Sequence, residues 1–250
     1  MPGQVSFILT ASQLERENTP VYPTLVVYDV LRATSTITTA LARGAREIIP
    51  VLEIEEARSL YVERQSTTGE VLLAGERQGD PIPGFHLGNS PLEYTENRVK
   101  GKTILLTTTN GTRALLASRR RGARKIIIAS LLNQSAVARA LRQEPAFSIV
   151  CAGAGGAFAF EDFYAAGLML HELLSLTPGV ALDDGALAAL NAARGGGLNP
   201  GLIAASHAAR RLQKKNRGAD VDFCATPNLF EVLPVFHNHR VVLDRAFWAR

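Results

Sequence analysis

Carboxylates, arginines and hydroxyls crowd into four short segments of this chain, each directly after an apolar run. The first is Tyr28-Asp-Val-Leu-Arg-Ala-Thr-Ser-Thr36. Hydroxyls and free amides at a helix start bind phosphate, and an arginine three residues past a carboxylate can reach the same anion. Asp29 would then hold a cation, with Arg32, Thr34 and Ser35 on the anion. The competing account makes Thr34 or Ser35 an N-cap and Asp29 its salt-bridge partner. The second segment, Leu73 to Pro91, is a long loop with Gly75, Gly79, Gly84 and Gly88 spread through it. Long ordered loops are usually functional, and this one offers Glu76, Arg77, Asp80 and Asn89. Glu76 is the best second carboxylate, unless it only pairs with Arg77 or a neighbour.

The third segment is Leu106-Thr-Thr-Thr-Asn-Gly-Thr-Arg113. Asn110-Gly111 allows a left-handed turn, and Thr112 either caps a helix or donates to an anion. The fourth, Val150 to Asp162, is glycine-rich and precedes a helix, so its amides suit an oxyanion. Glu161 and Asp162 there favour the helix start or a cation.

Familiar alternatives fail on single residues. Gly153-Ala-Gly155 is followed by Phe158 where a dinucleotide fingerprint needs glycine, and no Walker Gly-Lys-Ser/Thr occurs. A cysteine phosphatase would need arginine at Ala157, and a haloacid-dehalogenase-type phosphatase a second aspartate at Leu31. No Gly-x-Ser-x-Gly elbow is present. His237 and His239 would share a strand face but lack a companion motif, and read as surface residues. Two cysteines, Cys151 and Cys224, can build neither a disulfide framework nor a four-thiolate zinc site; Cys151 reads as a small buried residue.

The elements that must position these segments are legible. Thr24–Tyr28, Glu47–Val51, Val71–Leu73, Lys102–Leu106, Lys125–Ile128 and Phe147–Val150 are short apolar runs between helix-length stretches. They read as buried parallel strands of an α/β sheet, whose ligands bind beyond the carboxyl ends. Arg43-Gly-Ala-Arg-Glu-Ile-Ile49 recurs 78 residues later as Arg121-Gly-Ala-Arg-Lys-Ile-Ile127. This is either a duplication or the ordinary likeness of βαβ units. Both put Asp29 and Thr107 at equivalent strand ends. After about residue 176, Gly179 to Ala209 predicts two helices broken at Gly195–Gly197, the second capped by Asn199 with Pro200 at its first position. Short strands follow around Val232–Phe236 and Arg240–Leu243.

The chain has 250 residues, 46% of them hydrophobic and 20% charged, ordinary values for a soluble globular protein. Such a chain buries roughly 70–75% of its unfolded surface and needs no staples. It reads as one catalytic unit over residues 1–250, either undivided or as two α/β lobes dividing near 140–180. Arginine outnumbers lysine by 22 to 5 at a net charge of +4, which suits planar recognition of oxyanions. The uncharged stretch Ala146–Phe160 has 15 residues, short of the roughly 20 that a membrane span needs. With no basic start and apolar run at the N-terminus, a cytoplasmic location is expected. Arg119–Lys125 and Arg210–Arg217 are basic runs, but no recognised nucleic-acid motif accompanies them, so no nucleic-acid or membrane partner is expected. A homo-oligomer, most simply a dimer, is the commonest assembly.

Taken together, Asp29-Val-Leu-Arg-Ala-Thr-Ser-Thr36, Gly75-Glu-Arg77 with Gly84-Phe85 and Leu87-Gly-Asn-Ser-Pro91, Thr108-Thr-Asn-Gly-Thr-Arg113, and Cys151-Ala-Gly with Glu161-Asp162 resemble the 2-phosphosulfolactate phosphatase family. The order and spacing match over about residues 25 to 165, and Asp220-Val-Asp-Phe-Cys224 extends the resemblance toward the end. The resemblance implies an α/β fold of the family's own, mostly parallel sheets flanked by helices. It also implies an Mg2+-dependent phosphatase acting on a small phosphorylated acid, 2-phosphosulfolactate, in coenzyme M biosynthesis. On that reading Asp29, Arg32 and Glu76 are catalytic. Asp29, Glu76 and Asp162 hold Mg2+, while Thr34, Ser35, Arg77, Asn89, Asn110 and Thr112 bind the substrate. The attacking group is a metal-bound water or Asp29 itself, and a phosphatase or phosphotransferase on another small phosphorylated acid is the alternative. Where the family often carries acids this chain has His86 and Asn228, and neither is assigned a role.

Overall fold

A computed structural model describes residues 3–16, 18–68, 70–244 and 246. In chain order the elements are β1 (Gln4–Ile8), α1 (Ala11–Leu14), β2 (Thr24–Tyr28), α2 (Ala33–Ala42), β3 (Glu47–Pro50), α3 (Ile54–Thr68), β4 (Val71–Arg77) and β5 (Asp80–Pro81). Then come α4 (Glu96–Val99), β6 (Thr103–Thr107), α5 (Gly111–Arg120), β7 (Lys125–Ala129), α6 (Gln134–Leu141), β8 (Ala146–Cys151), α7 (Phe160–Leu176) and β9 (Ala181–Leu182). The C-terminal part adds α8 (Asp184–Gly195), α9 (His207–Lys214), α10 (Gly218–Cys224), β10 (Pro234–His237) and β11 (Arg240–Leu243).

The fold is α/β, with an open, mostly parallel sheet flanked by helices. Its eleven strands run β5-β4-β6-β3-β11-β10-β7-β2-β8-β1-β9, and β1 pairs with β9 from across residues 140–180. Strands β7, β2, β8 and β1 are mutually parallel, as are β3, β6 and β4. The β10–β11 hairpin is antiparallel internally and to both neighbours, so the two blocks point in opposite senses. In a flat sheet their carboxyl ends would lie at opposite edges. Five interstrand steps separate β2 from β6, and the usual twist turns them by about 100–125°. That swings the carboxyl ends of the two blocks toward one face.

The order β6-β3-β11-β10-β7-β2 also reads as a pseudo-two-fold between β11 and β10. It relates β2-α2-β3 to β6-α5-β7, and the first strand of each unit pairs beside the second strand of the other. The 78-residue offset holds for both ends of α2 and α5 and for the starts of β3 and β7. After each helix a glycine, Gly44 or Gly122, takes a left-handed conformation.

Strand residues alternate between two cores. Val26 and Tyr28 face α6, α7 and α8, whereas Leu25 and Val27 face α1, α2 and α5. A third, smaller cluster packs α3 on Val71, Leu73 and Leu105. Nine of the ten residues of α2 are buried, because it packs against β3, β7, β10, β11 and α5. Its hydroxyls find carbonyls instead of water: Ser35 donates to Val30 O, Thr36 to Asn89 O and Thr39 to Ser35 O.

Two expectations change. Strand β4 runs on to Arg77, four residues beyond the predicted Leu73, so Glu76 lies within it. Gly75 permits this, since a Cβ there would stand 1.9 Å from Thr107 O of the neighbouring β6. Asn199 does cap the segment starting at Pro200, but Pro200–Ala205 is a 3-10 turn and the α-helix starts only at His207. Ser206 supplies that start by accepting from Ala209 N.

Candidate active site

The loops after β2, β4, β6 and β8, with α9 and the residue that ends it, enclose a cavity of about 250 Å³. That is below the usual 300–1,000 Å³ of drug-sized pockets and suits a molecule of a few carbons. Its lining includes the carboxylates Asp29, Glu76, Glu161 and Asp162, and the cations Arg32, Arg211 and Lys215.

Asp29 follows the last residue of β2. Its Oδ1 accepts from Ala33 N at 3.1 Å, so the carboxylate itself caps α2. Thr34 serves the same turn: its amide donates to Asp29 O and its hydroxyl accepts from Asp29 N. The start of α5 presses from the other side, where a Cβ on Gly111 would lie 2.8 Å from Asp29 Oδ2 and 2.4 Å from the Ala33 Cβ. The two pseudo-equivalent helix starts therefore meet around one carboxylate. Burial pushes Asp29 up to about 7; the Ala33 amide and Arg32 oppose the rise, while Glu76 and Glu161 add to it.

Glu76 is gripped on both oxygens. Oε1 accepts from Thr109 N at 2.7 Å, and Oε2 from Gly79 N at 2.6 Å and Thr109 Oγ1 at 3.2 Å. Asp162 ties two loops together, accepting from Val30 N at 2.8 Å and Gly153 N at 3.4 Å. Burial raises its pKa well above the ordinary carboxylate range, helped by Glu161 and Asp29. Glu161 is raised too, mainly by burial, against the Ser206 hydroxyl and the charges of His207 and Arg211.

Arg32 is 3% exposed and donates to Asp220 Oδ2 at 2.6 Å and Gly79 O at 3.1 Å. Asp220, from α10, also accepts from Ser90 Oγ at 2.5 Å. A buried arginine is thus aimed from two sides. Asn89 reaches the cavity wall with its Oδ1 buried and without a partner among the described residues. Asn110, also on the wall, accepts from Gly155 N and fixes the glycine-rich loop.

Six of the ten residues given site roles from the sequence, Asp29, Arg32, Glu76, Asn89, Asn110 and Asp162, share this cavity, and Glu161 joins them. Thr34, Ser35, Arg77 and Thr112 do not line it. Ser35 and Thr34 brace the first loop, and Thr112 makes reciprocal bonds with Thr108 in the third. Arg77 donates to Glu76 O, Leu52 O and Thr107 Oγ1, locking β4 to β6. Sequence reasoning did not assign Arg211 or Lys215 to the site, because both lie in a run that reads as a solvated basic face. Their spacing of four residues was the available signal. His86 accepts from Leu73 N within β4, and Asn228 caps α6 through Ser135 N.

Residues 8–239 match the family described as 2-phosphosulpholactate phosphatase. A protein of Symbiobacterium thermophilum named probable 2-phosphosulfolactate phosphatase is 46% identical over 221 residues, 87% of this chain and 93% of its own. Proteins of the same name from Thermotoga maritima and Clostridium acetobutylicum are 42% identical over 88% of this chain and 35% identical over 96%. They are covered over 92% and 100% of their own lengths.

Proposed function

Because the chain belongs to the 2-phosphosulpholactate phosphatase family and is a phosphoric monoester hydrolase, we propose that it hydrolyses 2-phosphosulfolactate to 3-sulfolactate and inorganic phosphate with the help of Mg2+. The observation that carries this reading is the convergence of Asp29, Glu76, Glu161 and Arg32 on one small cavity.

A substrate with a phosphate, a carboxylate and a sulfonate is a multiply charged anion, and it would enter a cavity whose floor is acidic. Burial raises Asp29, Glu161 and Asp162, and a cation bound among them would favour their ionised forms. Among the described residues no three His, Cys, Asp or Glu side chains form a metal cage. Mg2+ does not need one, since it commonly takes one or two carboxylates and keeps several waters. Asp29 Oδ2 and Glu161 fit as carboxylate ligands, and the orphaned Asn89 Oδ1 as a neutral one. The bound cation would neutralise phosphoryl charge. Glu76 and Asp162, held by backbone amides, keep the loops in register around it.

Arg32, fixed by Asp220, would bind phosphoryl oxygens as their charge grows in the transition state. The attacking group would be a water beside the phosphoryl group, its proton passing to solvent, or Asp29 itself. The bond broken joins phosphorus to the 2-oxygen of the acid. Hydroxylamine trapping tests this step, because only an acyl phosphate reacts and its capture would make Asp29 the nucleophile. The activity itself is tested by phosphate release from small phospho-acids, including 2-phosphosulfolactate and 2-phosphoglycolate, with Mg2+ and with chelator. Release from 2-phosphosulfolactate that is lost on chelation is expected. Release from another acid only, or transfer only to an acceptor other than water, would replace the reading.

A further inference from the structure

We infer that Arg211 selects the substrate, its guanidinium receiving an acid group remote from the phosphate so that esters with two flanking acids are preferred over esters with one. This rests on the phosphatase reading and deepens it.

Four cations reach or border the cavity on this side, and three are engaged. Arg32 is tied to Asp220 and Gly79 O. Lys215 Nζ lies 2.6 Å from Asp80 Oδ2 and donates to Gln78 O, closing the rim onto the β4–β5 turn. Arg217 faces Glu93 at 3.9 Å. Arg211 lines the cavity, yet among the described residues it has no hydrogen bond and no carboxylate within ion-pair distance.

Helix α9 explains the placement. Ala209 and Leu212 are its buried face, Ser206 caps it, and Ala208 and Leu212 line the cavity. The helix is therefore anchored at the floor, and Arg211 projects from the turn beside its buried stripe. Arg32 enters from the loop after β2 and Arg211 from α9, so the two guanidinia reach the cavity from different elements. In a cavity of about 250 Å³ both can engage one small molecule. An unpaired planar fork is the donor set that carboxylates and sulfonates fit in bidentate fashion. An ester lacking the second acid gains nothing from it, which is the condition for selectivity.

The test compares kcat/KM for 2-phosphosulfolactate with that for 2-phospholactate, which lacks the sulfonate, in wild type, Arg211→Ala and Arg211→Lys. The expected result is a preference for the sulfonated ester that falls at least tenfold in Arg211→Ala, mostly through KM, and recovers in part in Arg211→Lys. Arg211 is exposed, and an unchanged thermal melt would show that folding is not at issue. Equal losses on both esters, or an unchanged ratio, would overturn the inference. Should wild type release phosphate from neither ester, the functional reading fails and calorimetry decides this one. A Kd for 3-sulfolactate that rises tenfold in Arg211→Ala while that for lactate does not would support it, and parallel or absent changes would overturn it.

Discussion

The two pseudo-equivalent units, β2-α2-β3 and β6-α5-β7, share element boundaries but divide the work of the site. After β2 the loop delivers Asp29 and Arg32, both charged and both in the cavity. At the same positions of the second unit stand Thr107, the last residue of β6, and Asn110. Thr107 turns away to Leu52 O and Arg77, and the loop's contribution is to hold others: Thr109 grips Glu76, and Asn110 holds Gly155. The helices differ to match. Uncharged α2 buries nine of its ten residues, whereas α5 buries six and ends in Arg119 and Arg120. A repeated scaffold can thus supply the reacting groups from one copy and the bracing from the other, meeting where Ala33 and Gly111 touch.

The sharpest way to break this comparison is at the paired strand ends. Asp29→Asn should cut turnover at saturating Mg2+ by at least about a hundredfold, an estimate in the range for losing one group that acts in the transition state. Its stability should move the other way. Asp29 titrates at about 7 in the fold against 3.8 normally, so its contribution favours folding below about pH 4 and is lost as pH rises through 7. Metal-free Asp29→Asn should therefore melt above wild type at pH 8, with the gap narrowing as pH falls below 7 and closing only below about pH 4. Mg2+ should raise the melt of wild type more than that of the variant. A variant less stable at pH 8 would contradict the charged-floor account.

Next in size is the contact between the helix starts. Gly111→Ala puts a methyl against Ala33 and Asp29 Oδ2, an overpacking that costs about 1–3 kcal/mol. Because Asp29 must shift, turnover should fall about tenfold, on the scale of a small misplacement of a catalytic group. Exchanging the two sizes in Ala33→Gly/Gly111→Ala should restore much of it, and steady-state assays of both variants check this. Failure of the exchange to help would mean that the helix starts are not interchangeable across the pseudo-axis.

Glu76→Gln tests the bracing half. The amide can accept through only one oxygen, and its NH2 must confront either Gly79 N–H or Thr109 N–H, at a cost of about 1–3 kcal/mol. The melt should drop by roughly 2–12 °C for a chain of this size. The smallest effect belongs to Thr107→Val, the counterpart of Asp29. About 1 kcal/mol is expected for its lost hydrogen bonds, with turnover within about threefold of wild type. A hundredfold loss there would erase the distinction between the units.

Much of this was legible before any coordinates. Short β-branched runs between helix-length stretches reported the strands, because a strand buried on both faces has no polar alternation to blur it. The segment motifs carried Asp29, Arg32, Glu76, Asn89, Asn110 and Asp162, since chemistry beyond parallel strands needs those residue types at those places. Other features were not legible. Gly75 read as loop, although it is the one residue that can pass Thr107 O within β4. Thr34, Ser35 and Thr112 read as anion donors because a hydroxyl at a helix start looks the same whether it meets a ligand or its own backbone. Arg211 and Lys215 read as a solvated run, because which side of α9 faces the cavity depends on packing far away in sequence.

By itself the sequence determined the strands, the helices between them, the 78-residue recurrence and the kinds of side chain at the strand ends, since propensity, periodicity and turn chemistry act over a few residues. Tertiary structure alone decided that carboxyl ends of oppositely directed blocks face one cavity, that Arg32 points where Asp220 aims it, and that Arg211 stands on the cavity wall unpaired among the described residues. Those facts depend on sheet twist, burial and contacts between residues more than a hundred positions apart, and no local pattern encodes them.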